Sequence, residues 1–247
     1  MPDYRKYFKN QSLPGMSEME TDQMKGLPVP PIQKPYPQDA PLIDLVEPEN
    51  FTLGQIPLID AIRNRRSRRK FTSESLSREE LSFLLWATQG VQSLIRGGLV
   101  TLRTVPSGGG MHPFETYLLV NRVEGVSPGV YRYLALEHKL YRVPVDDADL
   151  SDRINATANG QSFVGNGAVV FIWSARPYRT EYRYGDDSLK DILISVGHIC
   201  QNLYLACEGI GAGTCATAAY QQQLLDDLIG VDGDDEIALY LAPVGKV

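Results

Sequence analysis

The stretch Asp187 to Glu208 limits the possible folds more than any other part of this chain. Leu189, Ile192, Leu193, Val196, Ile199, Cys200, Leu203 and Cys207 recur at i, i+3, i+4 and i+7, the spacing of one helix face. Gly209 stands where such a helix stops. An apolar face this wide needs cover on more than one side, from the rest of the domain or from a second subunit. With 247 residues, 43% of them hydrophobic, the chain can bury that helix inside one large domain.

Strand-like segments surround it. Ala168 to Trp173 is an unbroken apolar run, as in a strand covered on both faces. Glu115 to Val123 is β-rich, and Val130–Tyr133 and Lys139–Val143 read as a hairpin across Leu136–His138. Ile237 to Pro243 reads as a closing strand after a short helix, Gln221 to Ile229. A further short helix is expected over Ile56 to Arg63. Leu76–Leu81 spells a capping box: Ser77 is the N-cap, Glu80 reaches back, and Leu76 staples onto Leu81. Leu81, Leu84, Leu85 and Thr88 share one face of the helix that follows, and Gly90 is expected to end it in a left-handed conformation. Hairpin-like pairs outnumber βαβ units, so the expected class is α+β.

Residues 1–50 read differently. Prolines recur from Pro14 through Pro28, Pro30, Pro31, Pro35, Pro37, Pro41 and Pro48, each removing an amide donor. Ile32, Tyr36, Leu42, Ile43, Leu45 and Val46 are too apolar for an idle linker, so an extended arm lying on a surface is expected, of its own subunit or of a partner's. Up to about residue 25 a disordered tail is an equal reading. Residues 51–247 then form the main domain.

Composition excludes several functions. A net charge of −6 argues against nucleic-acid binding through overall charge. No apolar run approaches the roughly 20 residues that span a bilayer. Cys200, Cys207 and Cys215 make neither a secreted disulfide framework nor a zinc knuckle, which fits a reducing cytoplasm. His112, His138 and His198 lack i, i+4 partners, so no metal site is expected, and His198 reads as a core or interface histidine. Gly209–Gly213 follows a helix and not a strand, so it reads as a helix stop and crossing point and not a dinucleotide loop.

Two segments carry candidate chemistry. In Arg65-Arg66-Ser67-Arg68-Arg69-Lys70, the alternating Arg65, Ser67 and Arg69 project to one side in extended chain, where guanidinium forks and a hydroxyl suit a phosphate with a polar tail. A solvated basic patch binding nucleic acid or an acidic partner through residues 63–70 is the competing reading. In Pro106-Ser107-Gly108-Gly109-Gly110, bare backbone amides can lie against a planar ring, where the bland reading is a tight loop. Together they suggest a phosphorylated aromatic cofactor.

These segments, with Leu81–Gly90, Arg103–Gly109, Pro128–Tyr133, Gly197-His198, Gln201–Ala206 and Pro243–Lys246, resemble in order the nitroreductase superfamily of FMN proteins, most closely its SagB-type dehydrogenase branch. The resemblance covers residue 50 to the end. It implies an α+β fold around a mainly antiparallel sheet, a homodimer with shared FMN sites, and ping-pong transfer from NADH, NADPH or another donor to a small electrophilic acceptor. By position, Arg65, Arg66, Ser67 and Arg69 would hold the phosphate, ribityl chain and pyrimidine edge. Pro106, Ser107, Gly108 and Gly109 would border the isoalloxazine, Cys215, Ala216 and Thr217 would lie near its N5 edge, and Lys246 would add charge at the phosphate. Azoline-oxidising members carry a Lys-Tyr pair ahead of the long helix, whereas this chain has Arg183-Tyr184. Tyr184 is the candidate catalytic residue, with interface packing as its alternative. An arginine stays charged and cannot serve as a base near neutral pH, so oxidation of peptide thiazolines or oxazolines is the second enzymatic reading.

Overall fold

The computed structural model describes Lys9 and residues 20–247. Most of the expected tail therefore lies outside the described residues. One seven-stranded sheet organises the rest. Its strands are β1 (Leu42–Asp44), β4 (Phe114–Val120), β5 (Gly129–Leu134), β6 (Lys139–Arg142), β7 (Val169–Ala175), β8 (Ala212–Thr214) and β9 (Ile237–Lys246). Their order is β1-β6-β5-β4-β7-β9-β8, and every pairing is antiparallel. A separate hairpin joins β2 (Val91–Ile95) to β3 (Val100–Arg103).

Period-two side chains serve both sides of the sheet. Phe171 and Trp173 of β7 join one core with α2 (Arg78–Gln89) and the long α5 (Ser188–Glu208). Val170 and Ile172 join the other with α3 (Leu150–Thr157) and α6 (Gln222–Ile229). The α+β expectation holds, and the unbroken apolar run of β7 is explained by helices on both faces. The remaining helices, α1 (Leu58–Asn64) and α4 (Tyr178–Tyr184), border the α5 side.

The capping box of α2 forms as expected. Glu80 N donates to Ser77 Oγ (3.1 Å), and Ser77 N donates to Glu80 Oε2 (2.9 Å). Ser77→Ala is expected to lower unfolding stability by about 1 kcal/mol, readable as a shift of the urea midpoint at constant slope.

One helix end differs from expectation. Gly90 is extended (φ −56°, ψ 135°) because the chain runs straight into β2, and its lack of a side chain serves packing, since a Cβ there would lie 2.4 Å from Trp86. Gly209 closes α5 as expected, in a right-handed conformation, and the left-handed Gly211 (φ 63°) then turns the chain into β8. His198 is exposed on α5 and not in the core, together with Leu193 and Ile194.

The arm is partly regular and lies on its own subunit. Leu42–Asp44 pairs with β6 as an edge strand, with Ile43 opposite Leu140. Ahead of it, three arginines of the main body donate to arm carbonyls: Arg179 to Pro31 (2.8 Å), Arg103 to Ile32 (3.1 Å) and Arg132 to Pro35 (3.0 Å).

Candidate flavin site

The arginine segment leaves α1 where Arg65 N closes the helix on Ala61 O (3.0 Å). The chain then runs extended along β8: Ser67 bridges Thr214 in parallel, and Arg68 N donates to Thr214 O (2.9 Å). Tyr204 of α5 gathers this corner. Its hydroxyl hydrogen-bonds Ser67 Oγ (3.2 Å) and accepts from Ala216 N (3.0 Å), while the Arg65 guanidinium lies over its ring at 5.3 Å. Arg65, Ser67, Cys215 and Ala216 are thus assembled around one phenol, with Thr217 tied next to them on β9 through Leu241 O (2.9 Å). Tyr204 lay within a matched segment but carried no signal of its own, because an aromatic on a helix face reads as packing.

The charges of the run are not equivalent. Arg68 pairs with Glu208 (3.2 Å), and Lys246 is bound by Glu80 and by Ile210 O (2.8 Å). Among the described residues Arg65, Arg66 and Arg69 make no ion pair. Arg66 donates to the carbonyls of Arg63 and Arg65, and Arg69 lies over the Phe163 ring at 5.7 Å. Thr214 Oγ1 is buried at this corner with no hydrogen-bond partner.

The glycine segment sits further along α5. Ser107 Oγ accepts from His112 N (3.1 Å) and meets Ser195 Oγ of α5 (3.3 Å). Gly109 and Gly110 have φ of 57° and 69°, a region side-chain-bearing residues rarely adopt. The chain's own groups also approach closely: a Cβ on Gly109 would lie 2.5 Å from the Tyr184 hydroxyl and 3.2 Å from the Arg183 guanidinium, and one on Gly108 would lie 3.0 Å from the Asp191 carboxylate. Tyr184, at the end of α4, is therefore brought to the ledge. Ser195 and Tyr204, the two α5 anchors, are nine residues apart in sequence, about 13.5 Å along a helix.

Behind the ledge lies a buried charge cluster that sequence patterning missed. Arg179 of α4 pairs with Glu115 of β4 at 2.5 Å, their side chains 3% and 4% exposed. Burial pushes the Glu115 carboxyl up, but the neighbouring guanidiniums of Arg179 and Arg132 outweigh it and hold the group below its ordinary range. Burial, aided by the Arg103 charge, pushes His112 down to about 3, and burial lowers Arg103 to about 10. Burial also raises the Cys200 thiol to about 12, far from a thiolate nucleophile at neutral pH. Among the described residues no cluster of His, Cys, Asp or Glu could hold a metal, and no helix is long and apolar enough to cross a membrane.

The antiparallel sheet with helices on both of its faces is a nitroreductase-like fold. The solved structure of a candidate nitroreductase from Ralstonia eutropha superposes with a TM-score of 0.68 at 27% identity, covering 90% of this chain and 99% of that one. Residues 62–246 match the Nitroreductase family, and the chain belongs to it. It is 33% identical over 203 residues to the candidate nitroreductase MJ1384 of Methanocaldococcus jannaschii, covering 82% of this chain and 98% of that protein. It is 26% identical over 214 residues to the trifolitoxin operon protein TfxC of Rhizobium leguminosarum bv. trifolii, covering 81% of this chain but only 58% of that protein.

Proposed function

We propose that this nitroreductase-family oxidoreductase is a cytoplasmic, FMN-dependent homodimer that draws electrons from NADH or NADPH and passes them to a small electrophilic acceptor such as a nitroaromatic or quinone. One observation carries the reading: the Arg65 guanidinium, without a carboxylate partner, meets the Ser67 hydroxyl at Tyr204, beside the buried and partnerless Thr214 hydroxyl. That donor set fits a phosphate ester with a polyol tail, since planar guanidinium forks match phosphate oxygens and hydroxyls match the chain. In this reading Arg65 and Arg66 take the phosphate, Ser67 the ribityl chain and Arg69 the pyrimidine edge. Pro106, Ser107, Gly108 and Gly109 border the rings, and Cys215, Ala216 and Thr217 line the reacting edge. Lys246, already engaged by Glu80, contributes a background positive field and no direct contact.

FMN, when bound, supplies the hydride and electron transfer itself. The chain's residues position it, exclude water and set its electrostatics. In this reading Tyr184 holds or delivers a proton at its hydroxyl oxygen. Arg69→Ala is expected to weaken FMN retention several-fold and to lower the bound flavin's potential, because a positive charge beside the pyrimidine edge favours the reduced state. Fluorescence titration and a spectroscopic redox titration check the two parts.

Dimerisation is supported by apolar faces left open on one chain: Leu58, Ile59 and Ile62 on α1, Leu193 and Ile194 on α5, and Leu94 and Leu102 on the β2–β3 hairpin. The basic run does not favour a nucleic-acid role, because Arg65 stacks on Tyr204 and Arg68 pairs with Glu208, which breaks up the strip. The azoline-dehydrogenase reading draws on Tyr184 at the ledge, with the Arg183 guanidinium over its ring at 5.5 Å. In that chemistry the permanently charged Arg183 leaves Tyr184 to move the proton alone.

The test is direct. Purified protein should be yellow and release FMN on heat denaturation, and flavin reduced by NADH or NADPH should be reoxidised by nitroaromatics or quinones. A peptide thiazoline as the only productive acceptor would favour the second reading, and colourless protein that takes up no added FMN would defeat both.

A further inference from the structure

We propose that the arm segment 21–36 is a strap that holds α4 in place and, through α4, fixes Arg183 and Tyr184 against Gly109, so that the arm governs which acceptors reach the glycine ledge. The family match begins at residue 62, so the strap lies ahead of the matched segment.

α4 depends on contacts from outside its own seven residues. A seven-residue helix cannot sustain itself, because closing the first turn fixes several dihedrals for a single hydrogen bond. Its side chains must be held from outside, and the arm supplies much of that hold. Gln23 N donates to Tyr182 O (2.9 Å), the Tyr182 hydroxyl to Leu27 O (2.9 Å), the Tyr178 hydroxyl to Asp22 Oδ2 (3.0 Å), and Arg179 Nε to Pro31 O (2.8 Å). Tyr178, Arg179 and Tyr182 sit at i, i+1 and i+4, so one face of the helix is fastened along its length.

The strap is in turn anchored to the body at its far end. Lys34 N donates to Glu115 Oε1 (2.7 Å), the Lys34 ammonium pairs with Glu236 (2.6 Å), and the Arg103 and Arg132 guanidiniums hold the carbonyls of Ile32 and Pro35. Prolines at 28, 30, 31, 35 and 37 restrict the unfolded arm, which lowers the entropy lost when it docks.

Arg179 also donates to His112 O (3.4 Å), just past the glycine segment, so the same side chain joins the strap, α4 and the exit of the ledge. From there α4 runs on to Arg183 and Tyr184, whose terminal atoms crowd Gly109. A large acceptor that must lie flat on the ledge therefore meets Tyr184 unless α4 gives way, and α4 gives way only against the strap.

The consequence for acceptors rests on the flavin site proposed above, while the mechanical link does not. The test uses the full-length protein and two sets of substitutions that leave the ledge untouched. Tyr178→Phe combined with Tyr182→Phe removes two side-chain ties at nearly constant volume, and Asp22→Asn weakens one tie from the arm alone. Hydrogen exchange of the α4 amides, read by mass spectrometry, is expected to quicken by about ten-fold in the double variant and by less in Asp22→Asn. The kcat/KM ratio for a bulky quinone over a small nitroaromatic is expected to rise by several-fold, with FMN content unchanged. Unchanged α4 exchange in both variants would overturn the strap. Faster exchange with an unchanged acceptor ratio would overturn its control of acceptors. Faster exchange in a protein that binds no FMN would uphold the mechanical link and locate the failure in the flavin reading.

Discussion

Arg179→Met is expected to destabilise the folded protein by about 3–5 kcal/mol, because it strands a carboxylate that burial has stripped of water. Glu115 is 4% exposed and depends on the neighbouring guanidiniums to remain ionised. Removing Arg179 leaves it to Arg132 and to Lys34 N, its other hydrogen-bond donor, and also frees the carbonyls of Pro31 and His112. The asymmetry is the informative part. A buried pair often contributes little net stability against well-packed apolar residues, so Arg179→Met combined with Glu115→Leu should recover most of the loss. Urea unfolding of the wild type, both single variants and the double variant checks this. A single-variant cost under about 1 kcal/mol would mean that the site admits water and that the arm contacts are slack.

Acid should unfold this protein ahead of its carboxylates, through His112. Its folded-state value is pushed down to about 3 by burial and by the Arg103 charge, whereas the unfolded chain has an ordinary histidine near 6.5. Between those values the unfolded state binds a proton that the folded state refuses. Stability is therefore full above about 6.5 and falls with pH by about 1.4 kcal/mol per unit below it. His138, likewise lowered chiefly by burial, acts in the same direction. Glu115 adds a carboxylate contribution further down, since its lowered value means that stability is lost as pH falls through the carboxylate range. The unfolding free energy from urea titrations at pH 7, 6 and 5 should show the decline, and His112→Gln should flatten it. A profile level from pH 7 to 5 would mean that His112 accepts its proton in the folded state.

The fold was legible wherever one periodicity prevailed. The i, i+3, i+4 pattern of α5, the unbroken apolar run of β7 and the capping box of α2 each follow from a local rule that tertiary packing reinforces. β1 was hidden because prolines flank a three-residue strand whose partner among the described residues is the distant β6. The β2–β3 hairpin was hidden for a different reason: Leu94, Leu99 and Leu102 face outward, so no inward alternation marks it. Gly90 reads as a left-handed stop and Gly209 as a helix stop, and close contacts at Trp86 and at Gly54 explain their missing side chains.

At the site, Arg65 and Ser67 were found by residue chemistry, and the structure brings them to Cys215 and Ala216 through Tyr204. Nothing local marks Tyr204, because its role depends on two loops far away in sequence. The same holds for Arg179 and Glu115, 64 residues apart, each an ordinary surface residue until the fold buries it. The glycine segment was read as a ledge for a ring. One reason for two of its glycines is the close approach of Tyr184, Arg183 and Asp191, which a one-dimensional reading could not supply.

The most direct measurement is a crystal structure of the full-length protein grown with excess FMN. One FMN per chain is expected, its phosphate against the Arg65 and Arg66 guanidiniums, its polyol by Ser67, and its rings against the Pro106–Gly109 backbone of the same or the facing subunit. Rings seated on any other surface, or a phosphate held away from Arg65 and Arg66, would contradict that placement.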